Sequence, residues 1–247
     1  MKIIAFPFAG GNTYSFNFLS NFLGPQGMSL VVLEYPGRGI RIREPLLVTM
    51  DELLKDAMVQ LKKHITHEEY IIYGHSLGGL LGLLVCQRID QMGLKKPTAL
   101  VASGRPLPHL KRRHKISHLQ KDLFYQEIAT LGGLPEQVLE NEDLKRFYEP
   151  ILKADFQIVE DYVFEENPKI NLPITVLYGD EELQKLNEDH SDGHQNGGID
   201  HDFIKKTWEA ETVAPVTVSV LPGNHFFIYD HGATIAQTFI QKFHCPT

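Results

Sequence analysis

The sequence predicts an α/β fold in which a mostly parallel sheet is flanked by helices and carries a helical insertion. Three observations predict it. Short apolar runs rich in β-branched residues alternate with segments of helical spacing; that rhythm gives way to a charged, helix-patterned block at about 105–171; and strand-like runs return after it. Strands that alternate with helices pair in parallel, and the crossover helices then cover both faces of the sheet.

The elements follow in order. "KIIAFPF" (2–8) reads as the first strand, and "SLVVLEYPGRG" (29–39) as the second, stopped by Pro36 and Gly37. Residues 49–65 place Leu53, Leu54, Met58, Leu61 and Ile65 at helical spacing. "YIIYG" (70–74) is a strand, "LGGLLGLLVCQRIDQMG" (77–93) a mostly apolar helix and "TALVASG" (98–104) a further strand. Beyond the insertion come the strands "LPITVLYGD" (172–180) and "VTVSVLPGNHFF" (216–227), and a closing helix, "ATIAQTFIQKF" (233–243). The polar, turn-rich stretch "LNEDHSDGHQNGG" (186–198) reads as an exposed loop. A chain of 247 residues suits one domain, 1–247, with the insertion as a lid.

Composition excludes several classes. Apolar residues at 43% and charged residues at 22% are ordinary for a globular chain, and a net charge of −7 lacks the basic face that nucleic-acid binding needs. No run reaches the 18 apolar residues of a membrane span. Cys86 and Cys245 do not make a disulfide framework, and the N-terminal run is broken at Pro7, unlike a secretion signal; a cytoplasmic protein is expected.

Chemistry concentrates at "GHSLG" (74–78), a G-x-S-x-G between a strand and a helix. A sharp turn there pushes the Ser76 hydroxyl out of the sheet, and the helix N-terminus favours an oxyanion beside it. This is the nucleophile signature of the α/β-hydrolase fold, in which an acid and then a histidine follow in the chain. His225 in "LPGNHFF" occupies the histidine slot. His75 is expected to point away from Ser76, and His109, His114 and His118 to lie on the surface. The oxyanion donors expected are the amide of Leu77 and one from "FPFAGGN", at Phe8 or Ala9.

Further motifs accompany these: "FPFAGG" (6–11), "YPGRGIRIREP" (35–45), "GHSLGG" (74–79), "ASGRPLP" (102–108), "LGGLPEQVL" (131–139), "ILKADFQIVEDY" (151–162) and "PGNHFF" (222–227). Together they resemble the type II thioesterases that accompany polyketide and nonribosomal peptide synthetases, over nearly the whole chain. The resemblance implies hydrolysis of acyl thioesters from the phosphopantetheine arm of a carrier protein, removing stalled or aberrant acyl groups. It implies an acyl-enzyme on Ser76, no metal or organic cofactor, and a monomer.

In that family an aspartate stands three residues beyond the glycine ending the penultimate strand, about two dozen residues before the histidine. Here Glu182 holds the position after Gly179, whereas Asp200 keeps the spacing to His225. Asp200 is favoured, with Asp180 and Glu182 as alternatives. The basic cluster Lys111, Arg112 and Arg113 is expected to help dock an acidic carrier protein. Arg38 is expected near the mouth of the site, as a substrate or carrier contact. Leu131, Leu134, Phe147, Ile151 and Phe156 are candidates to line an acyl tunnel. Two other readings stand beside this one: a carboxylesterase or acyltransferase of the same fold, and a non-catalytic carrier-binding module whose displaced acid disables the triad.

Overall fold

The computed structural model describes residues 1–105, 107–109, 115–132, 134, 136–190 and 198–244. Six strands among them form one sheet: β1 (Lys2–Phe6), β2 (Ser29–Val32), β3 (Tyr70–His75), β4 (Ala99–Ser103), β5 (Ile174–Gly179) and β6 (Val216–Leu221). The spatial order is β2-β1-β3-β4-β5-β6, and every adjacent pair is parallel. The expected mostly parallel sheet is thus wholly parallel among the described residues. β1 pairs Ile4 with Ile72, and β3 in turn pairs Ile72 with Leu100.

Alternation along the strands explains why both faces are covered. Ile4, Phe6, Ile72, Leu100, Ala102, Val176 and Tyr178 enter one buried cluster; Ile3, Ala5, Ile71, Tyr73, Val101 and Leu177 enter the other. The first cluster packs against α2 (Met50–Lys62), α3 (Leu77–Gln91) and α8 (His201–Glu209). The second packs against α1 (Ser20–Leu23) and α9 (Gly232–His244). α3 is the most apolar of the large helices because it is buried nearly all round, as its near-continuous leucine run requires.

Between β4 and β5 the insertion folds as α4 (Lys121–Ala129), α5 (Glu136–Glu140) and α6 (Glu142–Asp161). Asn141 caps α6 by accepting from the amides of Asp143 and Leu144. These helices have a core of their own, in which Ile116, Phe124, Tyr125, Ile128, Leu152 and Phe156 pack together with Ala9 at the edge. Through Ala9 this core sits on the loop that follows β1.

Two helices, α7 (Asp180–His190) and α8, stand where the sequence reading placed none. α7 begins directly at the end of β5, so the first part of the segment expected as an exposed loop is helical. Three consecutive acids, Asp180, Glu181 and Glu182, fill its first turn, where the helix dipole favours negative charge.

Candidate active site

The chain runs β1 to β2 towards one edge of the sheet and then returns to place β3 on the other side of β1. Between β1 and β3 the connection therefore reverses, which opens a crevice at the carboxyl ends of these strands. The segment 8–11 leaves β1 there and Ser76 leaves β3.

Ser76 has φ 56° and ψ −114°, and it is the one non-glycine residue with positive φ among the described residues. Its neighbours explain how such a turn is accommodated. A Cβ on Gly74 would overlap the Gly78 carbonyl, and a Cβ on Gly78 would overlap the Phe6 carbonyl, so helix α3 can approach β1 only with glycine at both places. The Ser76 amide donates to the Ser103 carbonyl at 2.8 Å, which fixes the turn to β4. Leu77 is the first residue of α3, and its N–H therefore lacks an intrahelical acceptor.

His225 follows β6. Its Nδ1 lies 2.6 Å from Glu182 Oε1, with the side chains 13% and 12% exposed, so the contact is largely shielded from water. Asp180 braces the loop that carries this histidine. Its Oδ1 accepts from the Gly223 amide at 2.8 Å, and the Glu181 amide donates to the Gly223 carbonyl at 3.2 Å. Gly179 cannot carry a side chain because a Cβ would overlap that same carbonyl.

The preference for Asp200 is corrected by this arrangement. Asp200 is the N-cap of α8, accepting from the Phe203 amide at 2.8 Å, and the carboxylate on His225 is that of Glu182. The physical reason is that β5 runs straight into α7, so the extra polar segment lies after the acid and stretches the acid-to-histidine separation to 43 residues. Asp180 is adjacent but serves the loop, not the imidazole. An aspartate directly before "HDFIKKTW" carries the ordinary signature of a helix cap, and that was the signal available in the sequence.

Ser76 and His225 line one cavity of about 180 Å³ together with Phe8, Ala9, Gly10 and Gly11. Apolar side chains of the insertion close it. Leu131, Leu134 and Phe156 line it as expected, joined by Ile128, Val138, Tyr148 and Leu152. Phe147 is instead half exposed, and Ile151 is buried outside the lining. A larger cleft of about 460 Å³ between α2, α3 and the end of α6 holds none of the candidate catalytic groups.

His75 is fully buried and turned away from solvent, its Nδ1 2.9 Å from Ser103 Oγ and its ring centroid 5.0 Å from that of His225. Burial, and next the neighbouring His225, push its pKa well below the ordinary imidazole value.

The expectation that Arg38 meets substrate or carrier at the mouth is also corrected. Arg38 is 5% exposed, and its guanidinium grips Asp155 of α6 with Nη1–Oδ2 at 2.5 Å and Nη2–Oδ1 at 2.7 Å. Burial opposes that charge, but the attached carboxylate outweighs it and the pKa of Arg38 is raised. Asp155 was missed in the sequence, although a signal was present. It lies at helical spacing with Ile151, Leu152, Phe156 and Ile158, an acid within an apolar face. Lys111, Arg112 and Arg113 lie outside the described residues.

With this geometry in view, the comparisons are consistent. A family model described as a thioesterase domain matches residues 1–243. A probable anguibactin biosynthesis thioesterase of Vibrio anguillarum is 30% identical over 90% of this chain and 83% of that protein. A probable cadicidin biosynthesis thioesterase of Streptomyces griseus is 27% identical over 99% of this chain, which spans only 63% of that protein's length. Among solved structures, ClbQ from the colibactin NRPS/PKS pathway superposes with a TM-score of 0.84 at 29% identity, covering 98% of this chain and 96% of that one. The type II thioesterase BorB from the borrelidin biosynthetic cluster gives 0.82 at 26%, covering 98% and 92%. Matched along almost its whole length, the chain belongs to the thioesterase family.

Proposed function

We propose that the chain hydrolyses acyl thioesters carried on the phosphopantetheine arm of acyl or peptidyl carrier proteins, clearing stalled or aberrant acyl groups from a polyketide or nonribosomal peptide synthetase. The observation that carries this reading is the single cavity whose walls hold Ser76, His225, the loop after β1 and the apolar side chains of the insertion. An acyl chain suits such walls, and its carbonyl then meets the serine. The relatives' names support the biosynthetic setting.

In this scheme Ser76 Oγ attacks the thioester carbonyl carbon and passes its proton to His225. Nδ1 of His225 donates to Glu182, which leaves Nε2 for that proton and stabilises the imidazolium. The oxyanion is held by the Leu77 amide and by that of Phe8 or Ala9. Collapse expels the phosphopantetheine sulfur, which takes the proton from His225 and leaves an acyl-enzyme. Water, deprotonated by the same histidine, then releases the acid. Nucleophile, base and donors all come from the chain, so the scheme calls for no metal or organic cofactor. The non-catalytic alternative loses its motive, because a carboxylate does sit on His225.

Leaving-group preference tests the reading. Turnover of a short acyl thioester should exceed that of the matching oxygen ester, and an acyl-loaded carrier protein should be a better substrate than the free thioester. An enzyme that prefers the oxygen ester and ignores the carrier-bound acyl group would contradict it.

A further inference from the structure

Three separate parts of the chain meet at the Asp155 carboxylate. Oδ2 accepts from Arg38 Nη1 at 2.5 Å and from the Gly10 amide at 2.7 Å, and Oδ1 accepts from Arg38 Nη2 at 2.7 Å. Arg38 Nη1 also reaches the Gly11 carbonyl at 3.4 Å. Asp155 lies in α6, Arg38 beyond β2, and Gly10 beyond β1. The two charged partners are 117 residues apart in the chain, and the Asp155 side chain is 2% exposed.

Burying such a pair costs desolvation that its attraction only partly offsets, and apolar residues of similar volume often replace it without loss of stability. What leucine or methionine cannot do is accept the Gly10 N–H. The loop 8–11 is otherwise held by a turn, with the Gly11 amide donating to the Phe8 carbonyl at 2.8 Å, and by Tyr35, whose hydroxyl donates to the Pro7 carbonyl at 2.9 Å. Gly10 has φ +79°, so its peptide plane adopts an orientation that a side chain would resist. These contacts use the amides of Gly10 and Gly11. Among the described residues neither the Phe8 nor the Ala9 amide has a backbone acceptor, and both residues line the cavity beside Ser76.

We propose that Asp155, clamped by Arg38, is a positioning residue for the oxyanion-binding loop: by holding the Gly10 N–H it aims the Phe8 or Ala9 amide at the oxygen of the acyl group on Ser76. Because Asp155 belongs to α6, the helix that closes the cavity also sets this donor. The inference rests on the acyl-transfer reading of Ser76.

Removing one partner alone leaves the other charge buried and unpaired, so the pair is best replaced together. In Arg38→Met/Asp155→Leu both charges go and Gly10 loses its acceptor; in Arg38→Met/Asp155→Asn the charges go but an amide oxygen remains for Gly10. The first should lose about 100-fold in kcat with KM for a short acyl thioester nearly unchanged, in line with the loss of one oxyanion donor. The second should recover at least about tenfold of that loss, a rescue that a purely structural role would not give. Affinity for an alkyl trifluoromethyl ketone, which forms a tetrahedral oxyanion on the serine, should weaken by the same factor as kcat/KM. Equal kcat in the two double variants, at whatever level, would overturn the proposal, as would unchanged ketone affinity alongside a lowered kcat. A wild-type chain without thioester turnover would instead bring down the functional reading on which the proposal rests.

Discussion

At the scale of single residues, position along the chain singled out Ser76 and His225 as candidates, whereas the choice among the acids rests on the contact that Glu182 makes with His225 in the folded chain. G-x-S-x-G leaves little choice, because only glycine fits where α3 crosses β1 and where the turn meets Gly78. The acid was ambiguous because three carboxylates stood near the right place and spacing alone cannot tell a helical segment from a loop. Their functions now separate by contact. Glu182→Gln should lower kcat by roughly 10²- to 10⁴-fold, since the variant loses the carboxylate that orients His225 and stabilises its cation. Asp200→Ala should keep turnover and lose about 1 kcal/mol of stability, the usual worth of a helix cap, measured as a shift of the urea midpoint. Loss of turnover in Asp200→Ala with Glu182→Gln active would reverse the assignment.

Turning to the elements, the strands were read from their apolar runs, and their ends place every candidate group: Ser76 after β3, Glu182 after β5, His225 after β6. The insertion was legible as a helical block, but its inward face was not, since Leu131 and Phe156 differ from Phe147 and Ile151 only by how the helices turn. The joint between α7 and the loop after β6 yields a further prediction. Asp180 is exposed yet holds the Gly223 amide, two residues from His225. Asp180→Ala should lower the melting temperature by only about 2–4 °C, the worth of one helix-end contact, while lowering kcat about 10-fold or more, because a small displacement of the base weakens proton transfer. Wild-type kcat in that variant would show that the loop holds its own shape.

At the scale of the whole molecule, fold class and family were legible because they rest on long patterns. The buried polar contacts were not, since they join residues far apart in the chain. His75 makes one of them a property of global stability. Its pKa is lowered, chiefly by burial and next by His225, so the folded chain keeps it neutral while the unfolded chain binds a proton below about pH 6.5. The unfolded state then holds the extra proton, and stability falls as pH falls through that value, by up to about 1.4 kcal/mol per pH unit. His75→Gln should flatten the decline of the melting temperature between about pH 7 and 5 relative to wild type. Equal slopes would remove His75 from that account. The central claim is that Ser76, served by His225 and Glu182, carries the acyl group of a carrier-bound thioester, and single-turnover deacylation of a short-acyl carrier protein, followed by intact mass, tests it most directly. Wild type should strip the acyl mass within one turnover, Glu182→Gln should do so far more slowly, and Ser76→Ala should leave it in place; deacylation by Ser76→Ala at the wild-type rate would contradict the account.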